Sequence, residues 1–350
     1  MSRQALVVGA GLGGLLCGRI LSREGWHVTV LEQGIQAGGA LQTFVRGGLR
    51  FDTGFHSVGG LGPGEPLEQV FRPLGLMDLP WYQVEADEFI NCDLPFMRLS
   101  SQTEDEIAHV ADPFRQSVWR LRGGGKMLVD ALREGLDVQL RKKVVEISYR
   151  SVTCADESTY GADIVVSDLH PLSTFRMVRD HVRPAYLKRL EKLQNGPGAF
   201  TVNVALKPGV LPYVNHSIFL DGEVMIHFGE ADENGFARSL DLLRFVQPGY
   251  DREAVAKELI EHASKRLPDL PEAILQYWTS TPATWERFTG TPGGSAFGVV
   301  KHSPAEYLSA VTPLPWLFLT GQNIGLHGVL GTSIAAVNTC NSIKNVCDTL

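Results

Sequence analysis

A glycine-rich run near the start of the chain has the spacing of a phosphate-binding loop. The residues Gly9-Ala10-Gly11-Leu12-Gly13-Gly14 fit the pattern G-x-G-x-x-G. The first glycine permits a tight turn, the second lets the backbone approach a pyrophosphate, and the last lets a helix lie close to a strand. The free N–H groups at the start of that helix would face the phosphates. The run therefore predicts a dinucleotide site.

The elements that must position this loop flank it on both sides. Gln4–Val8 and His27–Leu31 are short apolar runs typical of buried strands, and apolar residues at helical spacing lie between them. Glu32 follows the second run, at the place where a carboxylate hydrogen-bonds a ribose hydroxyl. An acid here disfavours a 2'-phosphate, so NADP is not expected in this site.

The chain after Glu32 continues with a second glycine pair. Glu32-Gln33-Gly34-Ile35-Gln36-Ala37-Gly38-Gly39-Ala40-Leu41 is followed by Phe51-Asp52-Thr53-Gly54-Phe55-His56. The first segment resembles the FAD-binding signature of glutathione-reductase-like flavoproteins, in the amine oxidase and phytoene desaturase group. The second is similar to the corresponding segment of the all-trans-retinol 13,14-reductase-like and carotenoid desaturase branch. The resemblance implies that the dinucleotide is FAD.

Two later parts of the chain fit the same resemblance. In the family, the valine at the place of Val144 contacts the adenine ring through its backbone. Thr320-Gly321-Gln322-Asn323 and Gly328-Val329-Leu330 look like the strand and helix that meet the flavin, with the positive end of the helix toward the pyrimidine side. The cofactor-binding residues that the resemblance implies are Gly9, Gly11, Gly13, Gly14, Glu32, Gln33, Gly38, Gly39, Ala40, Leu41, Phe55, His56, Val144, Gly321, Gln322, Asn323, Gly328, Val329 and Leu330.

The resemblance also implies a discontinuous nucleotide domain. We assign residues 1–65, 122–168 and 291–350 to the FAD-binding domain, and residues 66–121 and 169–290 to a substrate domain. Alternating apolar and polar residues between 200 and 246 predict strands in the substrate domain. The expected class is α/β, with a glutathione-reductase-like FAD-binding Rossmann domain and an inserted α+β substrate domain.

A flavin that faces an apolar pocket suits hydride transfer between its N5 atom and carbon. We therefore expect an FAD-dependent oxidoreductase that saturates or desaturates C=C or CH–CH bonds of an apolar, isoprenoid- or retinoid-like substrate. His56 and His327 are acid–base candidates, because the ordinary histidine pKa of about 6.5 lies near neutrality. Candidates for the pocket wall are Phe55, Phe89, Phe96, Phe219, Phe228 and Phe297.

Two other functions stay open at this point. A flavin amine oxidase would place a lysine near N5 and an aromatic pair beside the flavin. A redox-neutral flavin-dependent isomerase would need reduced flavin without consuming an electron donor. The glycines of residues 59–64 read as a loop, since Pro63 lacks the N–H that a phosphate would need. No second nucleotide motif is evident, so the electron donor or acceptor is unknown.

Composition limits the other classes of function. Hydrophobic residues make up 44% of the 350 residues and charged residues 20%, as in ordinary globular proteins. The net charge of -7 provides no basic field for nucleic acid. The sequence has no metal-spaced cluster of cysteines and histidines. No apolar run reaches the ~18 residues of a membrane-spanning helix, so we expect a cytoplasmic protein, with peripheral membrane contact left open.

Overall fold

The computed structural model describes residues 3–84, 88–90, 117–180, 182–301 and 304–349. The strands are β1 (Gln4–Val8), β2 (His27–Leu31), β3 (Thr43–Arg46), β4 (Leu49–Asp52), β5 (Val58–Gly59), β6 (Trp81–Val84), β7 (Glu88–Ile90), β8 (Val118–Leu121), β9 (Asp137–Gln139), β10 (Val144–Ser148), β11 (Ser151–Cys154), β12 (Thr159–Gly161), β13 (Ile164–Ser167), β14 (Gly198–Leu206), β15 (Ile218–Leu220), β16 (Val224–Phe228), β17 (Ser239–Val246), β18 (Ile274–Ser280) and β19 (Leu317–Leu319). The helices are α1 (Leu12–Arg23), α2 (Pro66–Phe71), α3 (Gly124–Arg133), α4 (Pro171–Met177), α5 (Pro184–Leu190), α6 (Arg252–Ser264), α7 (Leu270–Ala273), α8 (Pro282–Thr289) and α9 (Gly328–Thr349).

A five-stranded parallel sheet has the order β19-β13-β1-β2-β9. Its central strands are continuous apolar runs because both faces of the sheet are covered. Val7 and Val30 pack on one face with residues of α1, α3 and α9. Leu6 and Leu31 pack on the other face with residues of the small antiparallel sheet β10-β11-β12. The carboxyl ends of β1, β13 and β19 therefore meet at one edge.

A six-stranded sheet has the order β18-β14-β17-β16-β15-β7 and is antiparallel except for the pair β15–β7. Alternation along β17 sends Leu240 and Leu242 into a core with Leu259 of α6. Leu243 and Phe245 point to the opposite face, where they pack with Trp285 and other apolar side chains. The face of this sheet that lies away from α6 is therefore also apolar.

The observed class is the expected one, an α/β protein with a Rossmann-type parallel sheet and a second, largely antiparallel sheet. The parallel strands come from residues 4–8, 27–31, 137–139, 164–167 and 317–319, and the six-stranded sheet comes from residues 88–90 and 198–280. Within the described ranges, no helix is long and apolar enough to cross a membrane.

Candidate functional site

The glycine loop joins β1 to α1 as the sequence pattern predicts. Gly9 has a left-handed backbone, with φ of 98°, which only glycine adopts readily. A Cβ atom on Gly14 would collide with the carbonyl oxygen of Gly9, so this glycine permits the close contact between helix and strand. The start of α1 has no side-chain cap, and Gly11 is its N-cap residue. The first N–H groups of α1 are therefore not capped by the N-cap residue itself and can serve an anionic group.

Glu32 holds this loop from the end of β2. Its side chain is buried, and its Oε2 atom accepts a hydrogen bond from the backbone N–H of Ala10 at 2.9 Å. Its Oε1 atom accepts from the N–H of Gly34 at 2.6 Å. The carboxylate thus ties the loop after β1 to the loop after β2, beside the place where a ribose would lie.

Asp168 places a carboxyl group directly in the glycine loop. A Cβ atom on Gly11 would lie 2.5 Å from Oδ2 of Asp168, and a Cβ atom on Gly13 would lie 2.5 Å from Oδ1. The backbone N–H groups of Gly11 and Gly14 donate hydrogen bonds to this carboxyl group. Burial, together with the negative charge of Glu32, raises the pKa of Asp168 to about 7.

A cavity of about 410 Å³ begins at this loop, and we call it the glycine-loop cavity. Its lining brings together residues that lie far apart in the sequence. The predicted cofactor residues on its wall are Gly11, Gly13, Gly38, Gly39, Ala40, Leu41, His56, Gln322, Asn323, Gly328, Val329 and Leu330, and His327 lies on the wall as well. Three separate parts of the chain therefore form one surface.

Apolar side chains from the six-stranded sheet also line the glycine-loop cavity. Phe219 and Met225 come from β15 and β16, and Leu243 and Phe245 come from β17. Phe297 joins them from the chain after α8, and its ring lies 5.2 Å from that of Phe245 between centroids. The cavity thus has a phosphate-binding loop on one wall and an apolar, aromatic surface on another.

His56 and His327 both line the glycine-loop cavity. Both ring nitrogens of His56 are buried without a hydrogen-bond partner among the described residues. Burial lowers the pKa of His56 to about 3, with a further contribution from the charge of Arg120. Burial and the charge of Lys301 lower the pKa of His327 to about 4. Both pKa values lie below the ordinary histidine value of about 6.5, so both imidazoles are neutral at pH 7.

The remaining predicted cofactor residues do not line the cavity. Gly9 and Gly14 belong to the loop but do not face the cavity, and neither does Glu32. Gly321 packs against Asp168, because a Cβ atom on Gly321 would collide with Oδ1 of Asp168. Gln33 is exposed. Phe55 is buried against Trp81, with ring centroids 6.3 Å apart. Val144 is buried in the cluster between the parallel sheet and the small antiparallel sheet.

Only some of the aromatic residues predicted for the pocket wall line the glycine-loop cavity in the described part of the structure. Phe219 and Phe297 line the glycine-loop cavity. Phe228 is fully buried in the core beside α6 and does not line the cavity, which corrects that prediction: its side chain is on the covered face of the sheet. Phe96 and the side chain of Phe89 lie outside the described residues.

A second cavity, of about 510 Å³, shares His56 with the first, and we call it the arginine cavity. The buried guanidinium of Arg120 donates to the hydroxyl of Tyr213 at 2.9 Å, to the carbonyl of Phe228 at 2.7 Å and to Nε2 of His227 at 2.9 Å. Because a guanidinium only donates, His227 carries its proton on Nδ1. The ring centroids of His56 and His227 are 4.4 Å apart.

Sequence reasoning missed Asp168 and the group around Arg120. Asp168 follows a predicted parallel strand, and ligands of such sheets bind at the carboxyl ends of neighbouring strands, so a signal for it was present. Arg120 has no comparable signal, because β8 and β16 belong to different sheets and meet only in the folded chain.

The residues at the glycine loop fit FAD. The loop is a cradle that side chains at Gly11 and Gly13 would fill, and it presents backbone N–H groups to an anionic group. Glu32 lies beside it, and the start of α9 reaches the same cavity. FAD would be held by the glycine loop, by Gly38–Gly39 and by the start of α9.

Comparisons with known families agree with this geometry. Residues 7–74 match the family described as an NAD(P)-binding Rossmann-like domain, and residues 86–207 match the family of flavin containing amine oxidoreductases. The first match spans 68 residues of the chain and the second spans 122.

An all-trans-retinol 13,14-reductase of Danio rerio is 31% identical over 130 residues, which cover 37% of this chain and 19% of that protein. The matches to such curated relatives span about a tenth to a fifth of their lengths.

An oxidoreductase from Methanosarcina mazei is similar in structure, with a TM-score of 0.70, 17% identity and coverage of 97% of this chain and 100% of the other. Cyclohexylamine oxidase from Brevibacterium oxydans has a TM-score of 0.71 at 11% identity, covering 100% and 99%. The family matches and the partial relatives together show that the chain is similar to FAD-dependent oxidoreductases of the amine oxidase superfamily.

Proposed function

We propose that this protein adds or removes hydrogen across a carbon–carbon bond of an apolar, isoprenoid- or retinoid-like molecule, using FAD. When bound, FAD accepts or donates the hydride. The proposal includes the division into an FAD-binding part and a substrate part, and the cofactor residues given above. The electron donor or acceptor is a separate molecule whose identity is open.

One observation carries the proposal: the cradle for FAD and an apolar wall belong to the same cavity. Phe219, Met225, Leu243, Phe245 and Phe297 form that wall. An apolar ligand gains free energy by leaving water for such a surface, at about 25 cal/mol for each Å² buried. These five side chains carry no hydrogen-bonding nitrogen or oxygen, and the polar residues that line the cavity lie outside this wall.

The two histidines on the cavity wall are compatible with a neutral substrate, whereas the carboxyl group of Asp168 lies at the glycine loop. His56 and His327 are uncharged at pH 7 because burial lowers the pKa of each. A neutral imidazole has one N–H that donates and one nitrogen that accepts a hydrogen bond, so either side chain can orient a substrate, while the lowered pKa values make both of them weak bases. Glu223 lines the cavity as well, but its side chain is exposed.

A flavin amine oxidase is the second candidate, because the matched family carries that description. Lys301 is buried, burial lowers its pKa to about 8, and its Nζ atom donates to the carbonyl of Gln322 at 2.9 Å. Lys301 does not itself line the glycine-loop cavity. The apolar wall favours the carbon–carbon reaction over this candidate.

The test is a product analysis with FAD-loaded protein. Reduced protein is incubated without oxygen with all-trans-retinol, and oxidised protein with a diamine such as putrescine. We expect a product two mass units heavier than the polyene, and no reduction of the flavin by the diamine. A product of unchanged mass would indicate an isomerase, and reduction of the flavin by the diamine would indicate an amine oxidase; either result overturns the proposal.

A further inference from the structure

The carboxyl group of Asp168 lies where a phosphate of the dinucleotide is expected. Its two oxygens approach Gly11 and Gly13 so closely that a Cβ atom on either glycine would lie 2.5 Å away. It accepts hydrogen bonds from the N–H groups of Gly11 and Gly14, which are the donors that a helix start offers to an anion. A protein carboxyl group and a cofactor phosphate therefore compete for one set of donors.

The charged groups around Asp168 make a second anion costly. Glu32, at the end of β2, is negative and raises the pKa of Asp168. His170, two residues further along the same loop, has its pKa lowered by burial, so it provides no positive charge at neutral pH. His327 is neutral as well, and Gln322 at the end of β19 is an uncharged amide. The groups that act on Asp168 are thus backbone N–H groups and one further negative charge, while the positive charge of Lys301 acts on His170 and His327.

We propose that Asp168 is an internal stand-in for a phosphate group, so that FAD binds to the form of the protein in which this carboxyl group is protonated. Binding then takes up one proton from solvent. The ionised carboxylate opposes the cofactor in two ways: it occupies the N–H donors, and it repels the pyrophosphate across a buried, weakly screened distance. The protonated group carries no charge to repel the pyrophosphate, accepts from the N–H groups only weakly through its carbonyl oxygen, and can donate a hydrogen bond of its own.

The direction of the pH dependence follows from burial. The pKa of Asp168 is raised to about 7, so the group is protonated at pH 6 and largely ionised at pH 8. The dissociation constant of FAD is expected to be constant below pH 6 and to rise up to tenfold for each pH unit above 7. Between pH 6 and pH 9 this amounts to a loss of affinity of roughly 100-fold.

The experiment measures FAD binding to the full chain freed of flavin, from the quenching of flavin fluorescence between pH 6 and 9. Asp168→Asn keeps the size of the side chain and removes its charge. We expect this variant to bind FAD at pH 9 roughly as tightly as the wild type does at pH 6, with little change across the range. A wild-type affinity that is flat from pH 6 to 9, or an equal slope in Asp168→Asn, overturns the proposal.

A second measurement keeps the test independent of how well Asp168→Asn folds. Calorimetric titration of the wild type in two buffers of different ionisation enthalpy counts the protons that enter with FAD. We expect an uptake near one proton at pH 8 and near zero at pH 6. Lys301, with a pKa of about 8, also titrates in this range, so Lys301→Gln must retain the uptake. If Lys301→Gln abolishes it, Asp168 is not the source and the proposal fails.

Asp163→Asn is the matched control. Asp163 lies just before β13, and its carboxylate accepts a hydrogen bond from the N–H of Gln4 at 2.9 Å, at the end of the strand opposite to Asp168. We expect its FAD affinity to keep the wild-type pH dependence. The inference rests on FAD as the cofactor and not on the substrate, because no substrate is present in these measurements. The binding result and the product analysis can therefore fail separately.

Discussion

Glu32 and Ala10 are joined by a buried hydrogen bond, in which the backbone N–H of Ala10 donates to Oε2 of Glu32 at 2.9 Å. The same carboxylate accepts from Gly34 through its other oxygen. One side chain therefore fixes the glycine loop against the loop that follows β2. Glu32, which the sequence suggested for a ribose contact, therefore also has this structural role.

Glu32→Gln is expected to weaken both FAD binding and the fold. A glutamine can accept from only one of the two N–H groups with its oxygen, and its NH₂ group would face the other. Hydrogen bonds to a charged acceptor contribute about 1.5–3 kcal/mol, so we expect a loss of roughly 1–2 kcal/mol in the free energy of unfolding. We also expect the FAD dissociation constant to rise about tenfold, as measured by flavin fluorescence.

Asp137→Asn serves as the control for that variant. Asp137 lies on the neighbouring strand β9, where its exposed carboxylate accepts hydrogen bonds from the hydroxyl of half-buried Thr29 and from Nε2 of Gln139. Its loss should change the unfolding free energy by less than about 0.5 kcal/mol and leave the FAD affinity alone. Equal effects of the two substitutions would contradict the role assigned to Glu32.

Gly13→Ala is expected to abolish FAD binding at micromolar concentrations. The new Cβ atom would lie 2.6 Å from Cα of Gly321 and 2.5 Å from Oδ1 of Asp168, and the backbone at Gly321 cannot rotate away as a side chain could. Overpacking of this kind costs about 1–3 kcal/mol. In Gly161→Ala, the control, the new methyl group has no neighbour closer than 3.9 Å, so stability and FAD binding should not change. Full FAD affinity in Gly13→Ala would show that the cradle lies elsewhere.

Local patterns were enough to predict the elements that form the nucleotide site. The strands Gln4–Val8 and His27–Leu31 and the helix between them follow from apolar spacing and from the glycine run. Val224–Phe228 and Ser239–Val246 likewise match the alternating runs. These signals are carried by neighbouring residues, so they are readable without knowledge of the fold.

Pairing between distant strands was not predictable in the same way. Ile274–Ser280 pairs with β14 at the edge of the six-stranded sheet, and its alternation is hidden by polar residues because an edge strand faces water. Asp137–Gln139 adds a fifth parallel strand that is only three residues long. The lowered pKa values of His56 and His327 arise from burial by several elements at once, which no local pattern encodes.

Stability should fall as the pH rises from about 6.5 to 8, because the raised pKa values of buried carboxyl groups act there, whereas the buried histidines act in the opposite direction only below about pH 6.5. Asp241 is buried and accepts a hydrogen bond from Nδ2 of Asn203 at 2.6 Å, and burial raises its pKa to about 8. The native state then holds a proton that the unfolded chain releases near pH 4, so the contribution of Asp241 to the free energy of unfolding decreases between about pH 4 and pH 8. Asp52, with a pKa of about 6, and Asp168 contribute in the same direction.

The substitution Asp241→Asn should remove the contribution of Asp241 to this pH dependence. That contribution is roughly 1.4 kcal/mol in the free energy of unfolding for each pH unit between pH 5 and 7. Urea unfolding of the flavin-free chain at several pH values measures the effect. The variant should therefore gain stability relative to the wild type as the pH rises. If wild type and variant have parallel profiles, Asp241 is ionised in the folded protein.

Phe297→Ala tests the apolar wall without touching the cradle. The ring of Phe297 lies 4.4 Å from that of His327 and 5.2 Å from that of Phe245, between centroids. We expect the KM for an apolar polyene to rise about tenfold or more while FAD stays bound, because a large side chain contributes about 1.5–3 kcal/mol when buried. Phe288→Ala, at a ring that is 52% exposed on α8, should leave KM unchanged. An unchanged KM in Phe297→Ala would remove this residue from the substrate site.

We propose that the glycine-loop cavity holds a reducible FAD that faces an apolar substrate. The most direct measurement is the visible spectrum of the FAD-loaded protein during anaerobic reduction with dithionite and subsequent re-oxidation by added acceptors. We predict one bound FAD for each chain, bleached on reduction and restored by a conjugated polyene. A protein that takes up no FAD, or a reduced flavin that polyenes leave bleached while other acceptors restore it, would contradict the account.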